Sequence, residues 1–139
     1  MRLSVFAATC TVLLSSTLGE SALGGHLGQK VTTAAGNTVT VYSIEWPNDV
    51  NPVSADVEVC AGENATFAFP SYFQVHFADG GAIGSLGSHK QPTLERTHLE
   101  PKQCVRGWLD FIVTSGQKPV SIHYHEAGAD KKPIDWAVK

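Results

Sequence analysis

A chain of 139 residues with 42% hydrophobic and 17% charged residues is long enough for one domain of ordinary size and too apolar for wholesale disorder. The formal net charge is −3, and lysines and arginines stand singly except for Lys131-Lys132. No basic stripe exists to follow a phosphate backbone, which argues against a nucleic-acid partner.

The first stretch, MRLSVFAATCTVLLSSTLG, sets Arg2 ahead of an apolar run from Leu3 to Leu14 and then small polar residues, the layout of a secretory signal peptide. The run is shorter than the roughly 20 apolar residues a spanning helix needs. Small residues place cleavage after Gly19, Ser21 or Gly24, dividing the chain into a signal peptide at 1–24 and one domain at 25–139. Cys10 has Ala7-Ala8-Thr9 before it instead of the leucine a lipid-attachment motif requires, so no stable membrane anchor is expected. Removal of the signal leaves Cys60 and Cys104, the arithmetic of one disulfide in a secreted, extracellular chain.

After the glycine-rich lead-in Leu23 to Gly28, a short strand is expected over Gln29–Thr33. A second runs from Thr38 to Trp46, with a change of face near Ser43 that suggests a bulge. Pro47 and the loop to Pro52 end it. In ADVEVC, Ala55, Val57 and Val59 alternate with Asp56, Glu58 and Cys60. In YFQVHFAD, Phe73, Val75 and Phe77 face in while Tyr72, Gln74 and His76 face out. The glycines of Asp79 to Gln91 oppose regular structure, and this loop is expected to be the most mobile in the protein. Thr93–Leu99 reads as a strand, Glu100–Gln103 as a turn with proline in its second place. The segments CVRGWLDFIVT and VSIHYH, joined through Ser115 to Lys118, read as a hairpin. Ile134, Trp136 and Val138 form one face of a closing strand. Seven or eight short strands without helical periodicity predict an all-β, antiparallel sandwich or barrel. Cys60 and Cys104 then either pin two sheets together or tie a loop edge to a strand start.

Val57–Cys60 with Ala61-Gly62, and LEPKQCVRGWLDF at Leu99–Phe111, carry a resemblance. Together with Asp79-Gly80, they resemble a domain of unknown function common in secreted proteins and lipoproteins of actinobacteria and other Gram-positive bacteria. That domain is similar to telokin-like immunoglobulin sandwiches, a group that includes a mycobacterial secreted immunogenic protein. The resemblance covers about Gln29 to Tyr124 and implies an immunoglobulin-like β-sandwich, exported and non-catalytic, with no catalytic residues to carry over.

His123 and His125, at i and i+2 of a strand, project from one face about 7 Å apart and could share a metal with His76 or Glu126. The pair also looks like the His-x-His of copper/zinc superoxide dismutases, whose other ligands are not recognisable here. Two solvent-facing histidines on an edge strand are the plainer reading. Ser85 and Ser88 flank glycines without a nucleophile elbow. Asn64-Ala65-Thr66 is a glycosylation sequon, read as an unmodified loop. Tyr42, Trp46, Tyr72 and Trp108 either form an exposed binding face or cap the core. The expectation is a secreted, non-catalytic binding module without a cofactor, whose partner is an unidentified protein or cell-wall component. The alternative is an extracytoplasmic copper- or zinc-binding protein or enzyme using His123-x-His125.

Overall fold

The computed structural model describes residues 23–47, 51–114, 116–128 and 132–138. The expected signal peptide, apart from its last two residues, lies outside them. Twelve strands are present among the described residues: β1 Leu23–His26, β2 Lys30–Thr32, β3 Thr38–Glu45, β4 Val53–Cys60, β5 Thr66–Ala68, β6 Phe73–Phe77, β7 Ala82–Gly84, β8 Leu86–Gly87, β9 Thr97–Leu99, β10 Cys104–Phe111, β11 Pro119–Tyr124 and β12 Ile134–Ala137. They form an immunoglobulin-like sandwich. The first sheet has the order β1-β12-β11-β6-β7, the second β2-β3-β4-β10-β8, and β5 pairs with β9 in a small separate ribbon. Among the described residues no helix is long and apolar enough to cross a membrane.

Period-two alternation builds the core. Val53, Ala55, Val57 and Val59 of β4 face Phe73 and Val75 of β6, Ile122 of β11 and Ile134 and Trp136 of β12 across the sandwich, all of them fully buried. Each large apolar side chain so enclosed contributes about 1.5–3 kcal/mol relative to exposure. The change of face in β3 is a bulge: Val41 pairs with Val57 and Ser43 with Asp56, so Tyr42 is the extra residue.

The glycines of both sequence motifs mark close approaches of backbone to backbone. A Cβ on Gly107 would stand 2.6 Å from the Leu94 nitrogen, because the chain at 92–94 lies against β10. The Trp108 amide donates to the Pro92 carbonyl (2.9 Å) and the Leu94 amide to the Trp108 carbonyl (3.0 Å). A Cβ on Gly62 would meet the Gly36 carbonyl oxygen at 2.2 Å. Within the second motif, Glu100–Gln103 is a turn closed by the Gln103 amide on the Glu100 carbonyl, with Lys102 at φ 68°.

The bridge Cys60–Cys104 forms, 44 residues apart in sequence. It joins directly opposed residues of adjacent strands, the end of β4 and the start of β10. It therefore staples the second sheet internally and does not pin the two sheets together.

Three expectations change. The segments read as a hairpin do not pair: β10 and β11 lie in different sheets. β10 already has β4 and β8 on its two edges, and Asn51 takes over the ladder beyond it, donating to the Val113 carbonyl and accepting from the Val113 amide, both at 2.8 Å. The glycine-rich segment expected to be mobile holds β7 at the edge of the first sheet and β8 at the edge of the second, so it carries the chain from one sheet to the other. The strand expected over Thr93–Leu99 shortens to β9, since Thr93 makes only an isolated bridge with Trp108. Strands β1, β5, β7 and β8 add to those expected, and β1 runs parallel to β12.

Candidate functional site

On the outer face of the first sheet, three adjacent strands present one chemical row. The inward residues Val75, Ile122 and Trp136 are fully buried, so their neighbours His76 on β6, His123 on β11 and Asp135 on β12 point outward. Register fixes their meeting: His123 is directly opposite Asp135 on one side and Gln74 on the other, with His76 two residues beyond Gln74. His123 Nδ1 hydrogen-bonds Asp135 Oδ1 at 2.9 Å. The imidazoles of His76 and His123 stack with centroids 4.3 Å apart and planes 15° off parallel. One ligand atom from each of His76, His123 and Asp135 lies within 4.8 Å of the other two. Burial, then the charge His123 can carry, holds the His76 imidazole below its ordinary range, against an opposing pull from Asp135.

Sequence reasoning paired His123 with His125. The two rings stand 6.2 Å apart and edge-on, and β11 ends at Tyr124 before His125 is reached. His125 is outside the group of three close donors. Glu126, the other suggested ligand, turns inward, where it is buried and accepts from Asn37 (3.1 Å) and the Tyr124 hydroxyl (3.2 Å). His76, the suggested third group from another strand, stacks on His123. Asp135 was missed, and only the register of β11 against β12 reveals it.

The outer face of the second sheet is built differently. Asp110 occupies a polar position of β10 yet is buried beneath the segment following β8. It accepts from Ser54 Oγ (2.8 Å), Ser88 Oγ (2.7 Å), the His89 amide (3.0 Å) and His89 Nδ1 (2.8 Å). Burial pushes this carboxyl up, but the bonds from His89, Ser88 and Ser54 outweigh it and hold the acid below its ordinary range. A nucleophilic triad needs the serine on the histidine. Here both hydroxyls donate to the carboxylate, an arrangement that ties the segment down.

The four aromatic candidates do not share a surface. Tyr42 lies under the Arg106 guanidinium, 3.8 Å from ring centroid to Cζ, and donates to Glu58 at 2.9 Å. Arg106 forks onto Asp56 at 3.0 and 2.7 Å. Trp108 carries Lys90 Nζ at 4.3 Å, and Lys90 also pairs with Glu45. Trp46 and Tyr72 pack against the core instead. Trp46 also lines a groove of about 340 Å³ with Asn51, Val113, Thr114, Gly116, Gln117 and Lys118. Tyr72 meets Tyr124 and Phe69 edge-on. An aromatic group that sequence reasoning passed over sits on the β5–β9 ribbon: Phe67, 39% exposed, stands within 5.6 Å of Phe69 and 4.9 Å of His98. Arg96 lies over both phenyl rings.

No protein-family model matches this chain, and no curated protein matches it. Solved structures do. The secreted protein MPT63 of Mycobacterium tuberculosis superposes with a TM-score of 0.69 at 16% identity, over 86% of this chain and 100% of its own. The yjhA protein of Bacillus subtilis gives 0.61 at 11% identity, over 81% and 98%. YcdA of Bacillus subtilis, described as a candidate lipoprotein, gives 0.63 at 15% identity over 83% of this chain and 39% of its own. At these identities the likeness is one of fold, and by fold this chain is similar along nearly its whole described length to the sandwich of MPT63.

Proposed function

We propose that this chain is an exported, non-catalytic, immunoglobulin-like module of the actinobacterial and Gram-positive secreted group, and that it acts by binding a protein or cell-wall partner outside the membrane. The observation that carries the reading is the Cys60–Cys104 bridge, closed between directly opposed strand residues, since such bonds persist in oxidising compartments and are rare in the cytosol. The fold likeness to a secreted protein supports the same compartment. A binding role fits a sandwich in which the Ser88, His89 and Asp110 set is spent on holding a loop.

N-terminal sequencing of exported protein tests the compartment. Cleavage after Gly19 or Ser21 keeps β1 whole, whereas cleavage after Gly24 removes half of the strand that pairs with β12. The expected product therefore starts at Glu20 or Ala22, and an intact Met1 on a cytoplasmic product overturns export. Cross-linking capture from culture supernatant and cell-wall extract, with the purified protein as bait, tests binding. A single saturable partner supports the module, and turnover of a substrate by the purified protein refutes it.

A further inference from the structure

We propose that His76, His123 and Asp135 form a site for one divalent transition cation, of the zinc and copper class, on the outer face of the first sheet. The inference goes beyond the binding-module reading and does not depend on it. Its basis is the placement of three donors of matching chemistry on three neighbouring strands. Two imidazoles and one carboxylate are the donor set that zinc and copper accept, and cations preferring all-oxygen sites are poorly served by it.

The geometry is close to what one ion requires. Metal–nitrogen and metal–oxygen bonds of about 2.0–2.2 Å place tetrahedral ligand atoms about 3.3 Å apart. The three donors already lie within 4.8 Å of one another, so ring rotations about χ1 and χ2 of His76 and His123 close the remaining distance without moving the sheet. The strands cannot drift apart, because each of the three residues has a fully buried neighbour on its own strand, Val75, Ile122 and Trp136. The row is also accessible: the side chains of His123 and Asp135 are 16% and 34% exposed, which leaves room on the solvent side for a water or a partner's donor as a fourth ligand. The 2.9 Å contact between His123 Nδ1 and Asp135 Oδ1 already brings one nitrogen and one oxygen to ligand spacing, and the ion replaces the proton held between them, since metal binding takes the deprotonated ligand.

Among the described residues, sulfurs offer no competing site. Glu58 lies near Cys60 and Cys104, but both sulfurs are bonded to each other and have no thiolate to give.

The test uses tag-free protein, since a polyhistidine tag would bind metal itself. Zinc chloride and, separately, copper sulfate are added, excess is removed by desalting, and affinity is read by competition with a chromophoric chelator. One retained equivalent is expected. His76→Ala, His123→Ala and Asp135→Asn should each weaken binding by about tenfold or more, while His125→Ala and His89→Ala leave it unchanged. Because a variant could lose structure, the unsubstituted protein is also followed by imidazole NMR during copper addition. The His76 and His123 ring signals should broaden first, with those of His26 and His98 unaffected. Retention of no metal overturns the proposal. So does a loss in His125→Ala equal to that in His123→Ala with none in His76→Ala, which would restore the adjacent His-x-His pair as the ligand.

Discussion

The two outer faces of this sandwich are both polar, but their polar groups are committed to different ends. On the second sheet, Arg106 forks onto Asp56 and covers Tyr42, Tyr42 donates to Glu58, and Asp110 collects four hydrogen bonds from Ser54, Ser88 and His89. On the first sheet, His76, His123 and Asp135 share one internal hydrogen bond and one ring stack. A carboxylate whose lone pairs are filled by protein donors stabilises the fold and has little capacity left for a ligand. A row of imidazoles retains that capacity. The contrast teaches that a Ser, His and Asp gathered at one place is weaker evidence of chemistry than a sparser group whose donor atoms carry few bonds from the rest of the protein, here a 2.9 Å bond within the row and a 3.4 Å contact from His76 Nε2 to Gln74 Oε1.

The largest effect is expected from cutting the covalent tie that underlies both faces. The bridge joins β4 to β10 in the second sheet, and the ring it closes contains β6 with His76. Constraining a loop of this length lowers the entropy of the unfolded chain, so reduction should cost about 2–4 kcal/mol. Equilibrium denaturation with and without reductant measures it. An unchanged midpoint would mean that the bridge restrains neither face.

Next comes Gly107→Ala, which drives a methyl group into the Leu94 backbone. The segment at 92–94 must yield, and with it the strap that leads from His89 back across β10. A loss of about 3 kcal/mol is expected, the upper end of ordinary overpacking. Because the strap belongs to the second sheet, hydrogen exchange should rise at Leu94 and Trp108 and stay unchanged at Ile122 and Tyr124. Equal loss of protection in both sheets would dissolve the distinction between them.

How much of this could be read from residues alone follows from which physical signal each feature emits. Ala55, Val57 and Val59, like Phe73, Val75 and Phe77, announce strands because one face of each is fully or nearly fully buried. The bulge at Tyr42 is legible for the same reason, as an interruption of that alternation. β1, β7 and β8 carry LGGH, AIG and LG, and glycine has no side chain with which to report a face. The false hairpin has another cause. Two strands and a short turn look alike whether the turn reverses within a sheet or crosses between sheets, and what decides is whether β10 has a free edge, a property of distant β4 and β8. The row His76, His123 and Asp135 depends on the registers of β6, β11 and β12, so proximity in sequence favoured His125 instead.

A direct comparison of the two faces comes from removing one acid from each. Asp110→Ala leaves the buried Ser54 hydroxyl, with the partly buried Ser88 hydroxyl and the His89 amide, without an acceptor and should cost about 2 kcal/mol. Asp135→Ala removes one partly exposed pairing and should cost about 1 kcal/mol or less. The pH dependence has a definite sign. The Asp110 carboxyl is held below its ordinary range in the fold, so its contribution is present in full above its unfolded value of about 3.9 and is lost as pH falls through the folded value. Asp110→Asn should flatten that acid limb of the stability curve. A limb equally steep in the variant would assign acid sensitivity to another carboxyl.

The smallest effect separates two tyrosines that use the same bond in different surroundings. Tyr42 on the second sheet's outer face donates to Glu58 at 2.9 Å, and Tyr124 inside the sandwich donates to Glu126 at 3.2 Å. Both phenols are raised, Tyr42 chiefly by its hydrogen bond to Glu58 and Tyr124 chiefly by burial. A raised phenol contributes stability below its unfolded value of about 10, and that contribution is lost as pH rises through the folded value. Glu58→Gln takes away the main cause at Tyr42, so its titration should return toward the ordinary value. Glu126→Gln leaves the main cause at Tyr124 in place, and that phenol should stay protonated far into alkali. Ring-carbon NMR resolves the two residues separately during an alkaline titration. If Tyr124 falls as far in Glu126→Gln as Tyr42 does in Glu58→Gln, the interior of the first sheet admits solvent, and the enclosure that aims His123 and Asp135 outward from β11 and β12 is looser than their buried neighbours Ile122, Ile134 and Trp136 indicate.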